Sequence, residues 1–142
     1  MTDSFISKIE NGRASFAFNC ANSIPDNQKE EYKSHVKSFP MLVKTNGLGS
    51  AMAFLFAKIE KDSTYELMLD HILKWIIEND HNNFSREDNF KSLIQNIVDL
   101  NSSEYRFLTM EVLSFFEWLR RFADGLYNEY KEKNDGKQRE KN

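Results

Sequence analysis

Apolar positions recur along most of this chain at spacings of three and four, the period of a helix that buries one face. Ile6, Ile9, Phe16 and Cys20 trace a first helix, opened by the capping types Thr2, Asp3 and Ser4 and stopped by Ser23-Ile24-Pro25. A second begins near Asp26, where Tyr32, Val36, Phe39 and Val43 keep helical spacing straight through Pro40. Proline removes a backbone donor and crowds the preceding turn, so this element is either one helix bent at Pro40 or two segments meeting there. Asn46-Gly47 reads as its C-terminal cap, with Gly47 in the left-handed conformation that a side chain disfavours. Leu48, Met52, Leu55 and Ile59 then form the stripe of a third helix, and Gly49, Ser50, Ala51, Ala53 and Ala57 leave its surface thin enough for close neighbours.

Asp62-Ser63-Thr64 interrupts, and Leu69, Ile72, Leu73 and Ile76 mark a fourth helix that fades in the polar run 78–83. Ser85 followed by Asp88 resembles a capping arrangement for a fifth, with Phe90, Leu93, Ile94 and Ile97 inward. Asn101-Ser102-Ser103 launches the longest helix, whose expected inward stripe is Tyr105, Leu108, Val112, Phe115, Leu119, Phe122, Leu126 and Tyr130. The pattern predicts an all-α fold: a compact single-domain bundle of about six helices with a long C-terminal helix. Residues 1–132 form the helical domain, and 133–142, lacking an apolar anchor, are expected to be a disordered polar tail.

Composition agrees with one core: 142 residues are 40% hydrophobic and 13% aromatic, and five glycines with two prolines are few for a many-stranded fold. The start, Met1-Thr2-Asp3-Ser4-Phe5, has no basic region followed by an apolar run, and no apolar stretch approaches the roughly 20 residues of a bilayer span. A cytoplasmic protein with no membrane partner is expected. Cys20, the sole cysteine, cannot form an intramolecular disulfide and suits a buried small hydrophobe better than a nucleophile.

Net charge is −3, which argues against a stand-alone nucleic-acid binder held by bulk electrostatics. That sum hides a gradient. Residues 64–104 carry eight acidic against three basic side chains, whereas 25–63 carry five against six and 105–142 seven against eight. A polyanion contact should avoid the acidic middle.

Chemistry that would make an enzyme is missing. His35, His71 and His81 are too dispersed for a helical metal pair and no cysteine cluster assists them, so no metal site is expected. Gly47 and Gly49 are not followed by Gly-Lys-Ser/Thr, which removes a Walker-type phosphate loop. No arginine has a histidine four to six residues on, the pattern of small helical ribonucleases, and no carboxylate pair stands out. Neither catalytic residues nor a cofactor is assigned.

On a wheel of 100° per residue, Lys29, Lys33, Lys37 and Lys44 fall in one narrow sector beside the Tyr32/Val36/Phe39/Val43 stripe. Such a row can follow a phosphate backbone, or it can be a solvated face whose stems cover core edges. On the last helix Arg106, Arg120, Arg121 and Lys131 lie opposite the apolar stripe, with Glu117 and Asp124 at ion-pairing separations. Met110 and Leu113 point the same way, and apolar residues within a charged face suggest a protein contact. Trp75, Trp118 and the phenylalanines fit core periodicity better than base stacking.

Two stretches carry a resemblance. Phe39-Pro40, Leu42-Val43, Asn46-Gly47-Leu48, Ala53-Phe54-Leu55 and Lys58 form the first; Tyr105-Arg106, Leu108-Thr109, Glu111, Trp118-Leu119 and Arg120-Arg121-Phe122 form the second, and Arg13-Ala14 adds a weaker N-terminal match. In order and spacing the chain resembles the small helical subunit of the type III-B CRISPR effector, the Cmr complex. That resemblance implies a non-catalytic protein that stacks with copies of itself as an inner filament, beside crRNA-bearing backbone subunits and near a large polymerase-like subunit. It implies contact with the guide/target RNA backbone, independent of target sequence. Neighbours in a filament would supply multivalency, which resolves the difficulty of the negative net charge. Candidate RNA contacts are Lys33, Lys37, Lys44, Lys58, Arg120 and Arg121; candidate protein contacts are Met110 and Leu113. Lys58 and the arginine pair lie within the resembling stretches, whereas Lys33 and Lys37 come from the wheel. The alternative is a helical protein-protein adaptor without nucleic-acid binding.

Overall fold

The computed structural model describes the backbone of residues 2–79, 84–85 and 89–141, and the side chains among these that lie between 12 and 128. Within that set the chain forms α1 (Thr2–Asn22), a 3-10 turn (Asp26–Gln28), α2 (Lys29–Asn46), α3 (Leu48–Lys58), α4 (Ser63–Asn79), α5 (Phe90–Val98) and α6 (Ser102–Lys141), with no strand. Helix α6 runs to Lys141 and so enters 133–142, the segment expected to be a disordered polar tail; its side chains past Asn128 lie outside the described set, as does that of Tyr130 of the expected stripe.

Pro40 does not end its helix. It sits inside α2, so Lys33, Lys37 and Lys44 share one element. The joint that follows is a single residue: Gly47 N–H donates to Val43 O (2.8 Å) and closes α2, while Gly47 O accepts from Ala51 N–H (3.0 Å) and opens α3. Its φ of 89° is positive as the cap reading requires, but ψ of 159° is extended and not left-handed helical. Glycine alone tolerates that combination.

Side-chain caps fix three later helix starts. The Asp62 carboxylate accepts from Thr64 N–H (2.9 Å) at the head of α4. At α6, Asn101 accepts from Glu104 N–H and donates back to the Glu104 carboxylate, both at 2.9 Å, a reciprocal cap. The expected Ser85/Asp88 arrangement is corrected for α5: Asn89 is the cap, its side-chain oxygen accepting from Ser92 N–H (2.8 Å). Asp88 lies outside the described residues.

Helix α6 is the spine, flanked by α1 and α2, and α3 bridges α2, α4 and α5. Paired residues set the directions. Arg13 with Glu111, Phe16 with Phe115 and Ala21 with Tyr127 climb together, so α1 runs parallel to α6. Phe39 with Phe116 and Lys33 with Asp124 climb oppositely, so α2 runs antiparallel to it. Between them lies an aromatic core in which Trp75 stacks on Phe115 at 5.4 Å and 10°. Buried aromatic and aliphatic side chains of this size each contribute about 1.5–3 kcal/mol of transfer free energy.

The inward stripe of α6 is wider and rotated relative to its expected position. Leu108, Val112, Phe115 and Leu119 are buried, joined by Phe116, Ala123 and Tyr127, while Tyr105, Phe122 and Leu126 are half-buried. Packing on two sides, by α1 and α2, broadens a stripe that one neighbour would leave narrow. One polar pair is sealed inside: Tyr32 Oη lies 2.8 Å from His71 Nδ1. Burial drives the His71 imidazole down to about 4, which keeps it neutral at ordinary pH. Burial likewise pushes the Cys20 thiol up to about 12, in keeping with a packing role. No helix among the described residues is long and apolar enough to cross a membrane.

Candidate nucleic-acid interface

The six candidate cations fall into three environments. Lys33 and Lys37 converge on one oxygen of Asp124, at 3.6 and 3.3 Å, across the seam between α2 and α6. Further down that seam Lys29 pairs with Asp26 at 2.6 Å and lies 5.7 Å from the Tyr127 ring. The wheel therefore placed the lysine row correctly on α2, but part of its charge is met inside the molecule. Asp124 also corrects the expected pairing on α6: it turns toward α2, and neither Arg120 nor Arg121 has an ion pair among the described residues.

Arg120 and Arg121 are exposed. The Arg121 guanidinium lies 5.8 Å from the Trp118 ring, which itself stacks on Phe122 at 5.8 Å and 24°. Phe122 meets Phe18 of α1 edge-on at 5.3 Å. This cluster binds α1 to α6 and leaves Trp118 half-buried.

Lys44 and Lys58 form the third environment. Neither has an ion pair among the described residues. Lys44 is exposed in the last turn of α2, and Lys58 holds its ammonium 5.4 Å from the Phe54 ring in the last turn of α3. Between the two helices opens a groove of about 590 Å³, walled by Met41, Leu42 and Thr45 on one side and Phe54 and Leu55 on the other. Tyr65 and His35 close one end, stacked at 4.1 Å and 25°. His35 Nε2 in turn lies 3.1 Å from Asp62. Partial burial pushes the Asp62 carboxyl up, yet the hydrogen bonds from Thr64 and His35 outweigh it and hold the group below its usual value.

This groove escaped the sequence. Phe54 (41% exposed) belongs to the first motif stretch and Met41 (67%) lies within its span, but their exposure depends on how α2 and α3 cross. Phe107 was likewise missed: it is 68% exposed next to Met110 at 67%, and an apolar pair three apart and off the inward stripe was the available signal. Leu113, expected beside Met110, is instead half-buried against the core.

Motif residues do internal work. Tyr105 Oη accepts a 2.7 Å hydrogen bond from Gly49 N–H, so the second stretch caps the α3 of the first. Gly49 has no room for more: a Cβ there would stand 3.0 Å from Val98 Cγ1 and 3.4 Å from Tyr105 Oη. Arg13 Nη2 donates to both oxygens of Glu111, at 2.9 and 2.8 Å, with both side chains largely buried. The shared pattern thus records how three helices are clamped.

What emerges is an all-helical single domain whose strongest sequence signals are structural and in which no three described His, Cys, Asp or Glu residues gather to hold a metal ion. The comparisons give this class its family. The model for the family described as CRISPR-associated protein (Cas_Cmr5) matches residues 9–126, and the chain belongs to that family. The same architecture appears in the X-ray crystal structure of a CRISPR-associated Cmr5 family protein from Thermus thermophilus. That match has a TM-score of 0.61 at 20% identity and covers 83% of this chain and 92% of that one. Membership makes the protein a small structural subunit of a Cmr effector complex in CRISPR defence.

Proposed function

We propose that this chain is a non-catalytic subunit that stacks with copies of itself beside the crRNA-bearing backbone subunits and the large polymerase-like subunit, contacting the guide/target RNA through phosphates. The observation that supports the RNA contact is the pair Lys44 and Lys58, cations in the last turns of α2 and α3 that have no ion pair among the described residues. Arg120 and Arg121 supply a second exposed basic site, and Lys33 and Lys37 contribute what Asp124 leaves uncompensated. The acidic stretch 64–104 then faces solvent or a basic partner. No catalytic step is assigned to the chain.

Charge reversal tests this. In the assembled complex, Lys44→Glu with Lys58→Glu should weaken target-RNA retention and flatten its dependence on salt, each lost contact to a single strand lowering the log–log slope by about 0.7. An unchanged salt titration would refute the assigned contacts. The adaptor reading is favoured by Phe107 and Met110, an exposed apolar pair suited to a protein partner. Co-purification with the backbone subunits and crRNA, followed by RNA retention that depends on Lys44 and Lys58, excludes an adaptor that binds protein alone.

A further inference from the structure

Helix α3 is apolar on every side, and we propose that its outer face receives the exposed Phe107/Met110 face of α6 from a second copy of this chain. This rests on the stacking reading above and names the two surfaces that meet in it. Of the 11 residues of α3, Leu48, Gly49, Ala51, Met52 and Leu55 are buried, and Lys58 is the one charge. In a helix that faces water the opposite side is polar. Here Ser50, Ala53 and Ala57 lie exposed along it at spacings of three and four, between the exposed rings of Phe54 and Phe56. A contiguous apolar face of this kind marks a protein contact.

The chain itself carries a matching surface. On α6, Phe107, Met110, Ser114 and Glu117 follow one another at helical spacing on the side turned away from the buried stripe, and Phe107 and Met110 stand well out of the surface. Large side chains on one helix thus stand ready for a strip of small ones on another, which lets the two axes approach closely as ridge enters groove. Within one copy neither face covers the other, since both are exposed. A contact between them therefore joins two copies. Because it uses two different surfaces, it repeats from copy to copy and does not close as a two-fold pair.

Charge separates this occupant from the others. Lys58, its ammonium 5.4 Å from the Phe54 ring, has no ion pair among the described residues, and neither has Glu117, two turns beyond Met110. Arg121, the next cation along that side, lies against the Trp118 ring at 5.8 Å. The single cation of α3 therefore has an anion available from the facing helix. Two α3 faces packed on each other would bury their lysines with no anion between them. An RNA strand would find one cation on this face, too few to hold it by its phosphates.

The test uses the assembled complex, built from a mixture of isotopically light and heavy copies, with photoreactive p-benzoylphenylalanine in place of Phe107. Irradiation should link residue 107 of one copy to peptide 45–58 of a copy with the other label, and Ala57→Arg, at an exposed position, should cut that cross-link about tenfold. Lys58→Glu and Glu117→Lys should each weaken it, and the two together should restore it, a rescue that a misfolded variant would not show. Native mass spectrometry counts the copies in each complex. Several copies with residue 107 linked to another subunit or to residue 107 of its neighbour, or a cross-link that Ala57→Arg leaves unchanged, would overturn the assigned faces and leave stacking standing. A single copy in each complex would overturn both.

Discussion

Truncating Arg13 to alanine strands the Glu111 carboxylate at the α1/α6 contact, and the consequence follows from burial. In the native protein one guanidinium nitrogen bridges both carboxylate oxygens, and the two side chains retain 13% and 14% exposure. Hydrogen bonds to charged groups contribute about 1.5–3 kcal/mol, and breaking a fully buried pair costs about 3–5 kcal/mol. Slight exposure here lets water partly rehydrate Glu111, which brings the expected loss to about 2–4 kcal/mol. For a domain of this size that lowers Tm by roughly 6–12 °C. Guanidinium unfolding of wild type, Arg13→Ala, Glu111→Ala and the double variant forms a cycle. Removing both groups relieves the stranded charge, so the double variant should fall short of the sum of the singles by at least about 1 kcal/mol. Single losses below about 0.5 kcal/mol that simply add would refute the clamp. Loss of RNA retention in Arg13→Ala with stability intact would make Arg13 a contact residue and refute the structural reading of its motif.

Three further outcomes are expected. Tyr105→Phe removes the acceptor of the Gly49 N–H and should cost about 1–3 kcal/mol by chemical denaturation, with the loss absent in a background where the α3 start is already released. His71 titrates near 4 when folded and near 6.5 when unfolded, so the unfolded state binds the extra proton between those values. Stability should be fully held above about pH 6.5 and fall toward pH 4 with a slope of up to about 1.4 kcal/mol per pH unit, a slope that His71→Gln removes. Asp124→Asn frees Lys33 and Lys37, which should raise RNA retention severalfold at low salt and leave it unchanged at high salt. Its effect on stability should stay within about 1 kcal/mol, because Asp124 and Lys37 are well exposed.

Helical period and punctuation were enough to determine the class and order of the elements. Tyr32, Val36, Phe39 and Val43, or Leu69, Ile72, Leu73 and Ile76, bury as their spacing demands, because a helix face is a local property of the chain. The glycine joint at 47 and the family pattern were also legible in the residues themselves. Tertiary structure decided what those residues touch. Whether Lys33 and Lys37 are free depends on Asp124, far along the chain in α6, and whether Phe54 lines a groove depends on the crossing of two helices. Likewise the hydroxyl of Tyr105 finds its donor 56 positions back, on the first turn of α3. Periodicity assigns a side chain to a face, but its partner and its exposure come from the neighbouring helix, which no local pattern encodes.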